Sequence, residues 1–136
     1  MSRKFPRPIK RIVIKIGSSV IATYQMKPRT AHLRSLVEQV CLVQKKGIEV
    51  VIVSSGAIVF GMGELNQKKR PLDLASLQTL AAVGQIVLMD RYHAFFKRNQ
   101  VNCAQILLTW DDFNDRGRYN NARNTFKVML KRGIVP

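Results

Sequence analysis

The sequence predicts an α/β fold: an open, mostly parallel sheet with helices on both faces, in three layers. Three observations carry this. Two short runs, Ile12-Val13-Ile14-Lys15-Ile16 and Val50-Val51-Ile52-Val53, are rich in β-branched residues and nearly free of polar ones. That is the pattern of strands buried on both faces, not of strands that alternate between core and water. Segments of helical periodicity stand between and after the runs. The elements then alternate as β-α-β-α-β-α with the opening of one further strand, an order that right-handed crossovers turn into a parallel sheet. A chain of 136 residues holds one domain with a real core and not two.

Residues 1–10 are basic, carry Pro6 and Pro8, and lack the apolar run of a secretory signal. They are expected to be a short flexible leader on a cytoplasmic protein, and residues 11–136 the domain. Arg11 to Gly17 reads as the first strand, ended by glycine. A polar loop follows. Thr30 is the expected N-cap of a helix whose Leu33, Leu36, Val37, Val40 and Cys41 share a face, with Gly47 closing it. Glu49 to Val53 is the second strand. The turn Ser54-Ser55-Gly56-Ala57 leads into an apolar segment ending near Gly63.

After the basic loop Asn66 to Pro71, a long helix is expected from Leu72 to about Arg98, with Leu77, Leu80, Ala81, Gly84 and Leu88 on one face. Val101 to Leu108 reads as a third strand and Asp111 to Gly117 as a loop dense in Asp, Asn and Gly. A last helix carries Tyr119, Ala122, Phe126, Met129 and Leu130, with Lys131 and Arg132 at its negative end and Gly133 as its cap. Ile134-Val135-Pro136 opens a fourth strand. An inner parallel strand should run about five or six residues, so the domain is expected to be incomplete at its C-terminus.

Several function classes are excluded. No run reaches the roughly 18 apolar residues of a membrane helix. Cys41 and Cys103 lie apart in apolar surroundings and read as buried free thiols. His32 and His93 are isolated, so neither a metal site nor a histidine-based triad is expected. No glycine stands two residues before Ser54 or Ser55, so the turn is not a nucleophile elbow. The net charge of +15, from 23 Lys and Arg against 8 Asp and Glu, raises the question of nucleic acid. The cations are spread from Arg3 to Arg132 in short clusters, few aromatics accompany them and no recognition motif is present. Nucleic-acid binding is not expected.

In open α/β sheets ligands bind beyond the carboxyl ends of the strands, and two turns fall there. Lys15-Ile16-Gly17-Ser18-Ser19 offers a glycine for close approach, hydroxyl donors and a cation; it is neither a Walker A loop nor a Rossmann fingerprint. Lys15 stands inside an apolar run, where an unpaired charge is costly. It either snorkels to solvent or meets an anion. Ser54-Ser55-Gly56-Ala57 places free amides at a helix start, an anion site in form and a plain helix cap as the alternative. Two such turns on one edge suit a nucleotide phosphate beside a carboxylate. Phosphoryl transfer to a carboxylate needs no general base, because the nucleophile is already ionised at pH 7.

Five segments together resemble the amino acid kinase family, and within it the glutamate 5-kinase group. They are Ile12 to Ser19, Val51 to Ile58, Leu80-Ala81-Ala82-Val83-Gly84-Gln85, Gln105 to Thr109, and Tyr119 to Thr125. Their order and spacing match from about Arg11 to Pro136. The resemblance implies ATP-dependent phosphorylation of the L-glutamate side-chain carboxylate to γ-glutamyl phosphate, the first step of proline biosynthesis, with Mg²⁺ accompanying ATP. It implies that Lys15 contacts the transferred phosphate, that Gly17 and Ser18 line the phosphate loop, and that Ser55, Gly56 and Ala57 hold glutamate. It gives Asn121 and Arg123 no role. It also implies a homo-oligomer in the full-length form. The family's Asn/Asp-rich substrate loop, adenine site and second lysine follow the position of Pro136, so the 136 residues alone are expected to be inactive.

Overall fold

The computed structural model describes residues 8–23 and 27–136; residues 1–7 of the expected leader lie outside the described residues. Two strands, β1 (Arg11–Ile16) and β2 (Glu49–Ser54), pair in parallel, in register from Arg11↔Glu49 to Ile16↔Ser54. The β-branched runs explain their conformation, since side chains crowded at Cβ suit the pleated backbone.

The connection between them carries a one-turn helix, α1 (Ser18–Ile21), and then α2 (Thr30–Lys45). The polar loop expected after Gly17 is therefore partly helical. Arg29, not Thr30, occupies the N-cap of α2, and no side chain caps that end; Thr30 is already the first helical residue. Leu33, Val37, Val40 and Cys41 are its buried stripe. Gly47 follows the C-cap at φ +78, where its amide donates to the Gln44 carbonyl. Only glycine takes that conformation without cost.

Beyond β2 come α3 (Ala57–Glu64) and α4 (Leu74–Arg98). Helix α4 starts two residues later than expected, because Asp73 takes the N-cap and accepts from the Ser76 amide at 2.8 Å. Leu80, Gly84 and Leu88 are buried as expected, and Tyr92, Phe95 and Phe96 extend the stripe.

Two expectations for the C-terminal third do not hold. Residues 101–108 do not form a strand; a single parallel bridge joins Cys103 to Val135. Val135 donates to Asn102 and accepts from Ala104, while the Pro136 carbonyl accepts from Ile52 of β2 at 2.9 Å. Residues 135–136 thus lie between β2 and the segment around Cys103. An inner neighbour of so few residues gives residues 105–108 nothing to pair with. The Asp111 to Gly117 stretch is also not a loop: it holds α5 (Trp110–Asn114) and the start of α6 (Arg116–Lys131). Thr109 and Asp112 form a capping box at the first, and Asp115 accepts from the Arg118 amide at the second.

The layers follow from the pleat. Ile12, Ile14, Ile16, Val50 and Ile52 face α2 and α4, and Ile16 and Val50 sit in one core cluster with Leu33, Val37, Leu88 and Phe96. The other face looks toward α5 and α6: Arg11 lines a cleft with Ala122, Phe126 and Leu130 of α6. That face is only partly covered, with Val13 64% and Val53 50% exposed. The uninterrupted apolar runs therefore did not report equal burial on both sides. Cys41 is buried as expected, but Cys103 is only half-buried. Among the described residues no helix is long and apolar enough to cross a membrane.

Candidate active site

Both turns singled out from the sequence lie at the carboxyl end of the two-stranded sheet, and the backbone ties them together. The Ser55 amide donates to the Ile16 carbonyl at 3.0 Å. Gly56 is buried at φ +108, and a Cβ there would lie 2.5 Å from Cδ1 of Ile21 in α1. The glycine is thus required twice: for a left-handed backbone and for close approach to the helix that follows the first turn.

In the first turn Gly17 takes the N-cap of α1 with an extended backbone, and its carbonyl accepts from the Val20 amide at 3.0 Å. Ser18 and Ser19 are exposed beside it. Lys15, opposite Val53 in the ladder, is exposed on the sheet face not covered by α2 and α4. The cost of burying a charge, which had drawn attention to Lys15, does not apply, because its face of the sheet is open. Among the described residues the two ion pairs are Arg11–Glu49 and Arg34–Glu38, so no carboxylate neutralises Lys15 at close range.

In the second turn Ser55 is exposed, Gly56 is the N-cap of α3 and Ala57 its first residue. The first bond of α3 runs from the Phe60 amide to the Gly56 carbonyl. No described backbone bond uses the amides of Gly56 and Ala57, which leaves donors and the positive end of a helix beside Ser55.

The sequence reading missed what holds this turn in place. Helix α3 packs on α4 backbone to backbone. A Cβ on Gly84 would fall on the Ala57 carbonyl oxygen and the Gly61 nitrogen, and one on Gly61 would fall on the Leu80 carbonyl. Glycine at position 84 lets the first two turns of α3 lie directly on the backbone of α4. Tyr92, eight residues further along α4, places its hydroxyl 2.8 Å from Ser54 Oγ. Burial pushes the Tyr92 phenol above its ordinary pKa, and the Ser54 hydrogen bond opposes this. Nothing local in the sequence links residues 54 and 92.

Asn121 and Arg123 are both exposed on α6; Arg123 lines the cleft that also holds Arg11, and the Asn121 carbonyl accepts from Thr125 Oγ1. Among the described residues no group of three or more His, Cys, Asp or Glu side chains is placed to hold a metal ion.

Residues 10–136 match the amino acid kinase family. The chain is similar to glutamate 5-kinase of Herminiimonas arsenicoxydans, 46% identical over 127 residues, which is 93% of this chain and 34% of that protein. It is 42% identical to glutamate 5-kinase 2 of Bacillus subtilis (strain 168) over 94% of the chain and 34% of the relative. With glutamate 5-kinase of Aromatoleum aromaticum the figures are 42%, 96% and 35%. The chain spans about a third of the length of these curated relatives. The family match covers residues 10–136, and with it the two turns at the carboxyl end of the parallel sheet: the chain belongs to the amino acid kinase family.

Proposed function

We propose that this chain supplies the phosphate-side lysine and the glutamate-binding turn of a glutamate 5-kinase. The single observation that carries the reading is the junction of the two turns: the Ser55 amide bonded to the Ile16 carbonyl, with Gly56 against Ile21. The similarity to three glutamate 5-kinases supports it. Ser55, Gly56 and Ala57 hold L-glutamate at the start of α3. Lys15, Gly17 and Ser18 receive the phosphates of ATP. A side-chain carboxylate oxygen of glutamate attacks the γ-phosphorus, the bond to the β,γ-bridging oxygen breaks, and ADP departs with that electron pair.

The carboxylate is ionised at neutral pH, so no base is needed. What the protein adds is alignment of two anions and neutralisation of the charge that spreads over the transferred group. Lys15 fits the second task, being exposed and unpaired among the described residues. Mg²⁺ accompanying ATP would supply further screening of the phosphate charge that Lys15 faces. The same reading takes the complete enzyme as a cytoplasmic homo-oligomer.

The test is ATP-dependent γ-glutamyl hydroxamate formation by the protein expressed from its complete reading frame. Formation with glutamate and strong discrimination against aspartate support the reading. Equal use of both acids, or no product, refutes it.

A further inference from the structure

Tyr92 is the only hydroxyl-bearing side chain on the buried stripe of α4, and it is 4% exposed. Its ring is accounted for by packing, including a stacked contact with Phe96 at 6.4 Å between centroids. A phenylalanine would fill that space equally well. The hydroxyl therefore has to be explained separately, because burying it away from water is unfavourable unless it is bonded. It lies 2.8 Å from Ser54 Oγ, and Ser54 Oγ donates in turn to the Ser55 carbonyl at 3.2 Å. A serine hydroxyl has one proton. With that proton given to Ser55, Ser54 accepts from Tyr92, and the relay runs one way, from Tyr92 through Ser54 to the Ser55 carbonyl.

The described chain contains no cis peptide bond, and in a trans peptide the C=O and the following N–H point to opposite sides. Holding the Ser55 carbonyl against Ser54 therefore turns the Gly56 amide the other way. That amide, like that of Ala57, has no described backbone acceptor. Gly84 of the same helix fixes the turn from its other end by close contact with the Ala57 carbonyl.

We infer that Tyr92 is a positioning residue for the substrate-binding turn: acting through Ser54, it orients the Ser55–Gly56 peptide so that its amide faces the substrate carboxylate. This rests on the glutamate kinase reading of the site. Tyr92 touches no substrate itself.

The test uses Tyr92→Phe, Ser54→Ala and the double variant in the protein from its complete reading frame. Each single variant is expected to raise KM for glutamate about 3- to 10-fold, the factor one neutral hydrogen bond supports, with KM for ATP and kcat within about twofold. The double variant should be no worse than either single one, since both cut the same relay. Unchanged glutamate KM overturns the inference. So do effects that add, or a fall in all parameters that tracks loss of the folded state. If the parent protein does not phosphorylate glutamate, the reading of the site fails, and the amide resonances decide the positioning claim. The Gly56 ¹H–¹⁵N resonance is then expected to shift in Tyr92→Phe and to stay put in Tyr119→Phe, a change on exposed α6. A Gly56 resonance unmoved by Tyr92→Phe contradicts the inference.

Discussion

The Ser55 amide donates to the carbonyl of Ile16 at 3.0 Å, so the turn that ends β2 starts from the last residue of β1. Strand pairing sets the distance between the two turns, and this bond carries the ladder one residue beyond it. Neither turn is free to move without the other. Gly56 closes the arrangement by lying against Ile21, which follows the first turn.

Gly56→Ala is expected to disturb both turns at once. The residue sits at φ +108 and its new methyl would meet Ile21. Backbone strain and overpacking each cost roughly 1–3 kcal/mol. A lower urea midpoint and a raised glutamate KM should appear together. A variant as stable and as active as the parent would show that the turn has room.

Gly84→Ala tests the helix contact that supports the site. The methyl would fall on backbone atoms of Ala57 and Gly61, which unlike a side-chain tip have no rotamer in which to yield. We expect a loss of about 3 kcal/mol, at the upper end for overpacking. Ala82→Ser, at an exposed position of α4, should stay within about 0.5 kcal/mol. Equal stabilities by denaturant unfolding would contradict the close approach.

Tyr92 gives stability an alkaline limit. Burial raises its folded-state pKa above the ordinary value of about 10. The folded state therefore favours the protonated phenol. Its contribution is whole below the unfolded value and is lost as pH rises through the folded one. The difference in urea midpoint between the parent and Tyr92→Phe should change between pH 8 and pH 11, in the direction that favours the variant at high pH. A difference constant over that range would refute the assignment.

At the acid side the helix caps act in the opposite sense. The Asp73 carboxyl is held below its usual range by the Ser76 amide, and that of Asp112 by the Thr109 amide. Their contribution is present above the unfolded value of about 3.9 and is lost as pH falls through the lower folded value. Circular dichroism of Asp73→Ala should show less helix than the parent at pH 5 and little difference at pH 2. A helix content that does not depend on Asp73 at pH 5 would remove the cap from the account.

The sequence made some parts of this fold legible and hid others for definite reasons. Strands β1 and β2 could be read because β-branched runs bounded by glycine carry their own conformational preference. The two turns were legible because strand ends and helix starts leave local marks. Helix α5 was not, because Trp110 to Asn114 has the composition of a loop and its helicity rests on the Thr109–Asp112 box. The expected strand over 101–108 failed for the converse reason. Its apolar residues are suited to a sheet, but pairing is non-local, and only Val135 comes within reach of Cys103. Of the candidate site, Lys15, Gly17, Ser18, Ser55, Gly56 and Ala57 stand in turns that local pattern marked, while the part expected of each came from the family resemblance. Tyr92 and Gly84 were not given a part in the site, because their contacts with residues 54 and 57 join separate elements.

The most direct test of the central claim is the rate of γ-glutamyl hydroxamate formation by Lys15→Met in the protein from its complete reading frame. Lys15 is exposed and without a described ion-pair partner, so the fold should be unaffected. The account predicts an unfolding midpoint equal to the parent's and a kcat lower by about 10²-fold or more, the scale of losing one electrostatic contact to the transition state. A kcat near the parent's, in a folded variant, would contradict it.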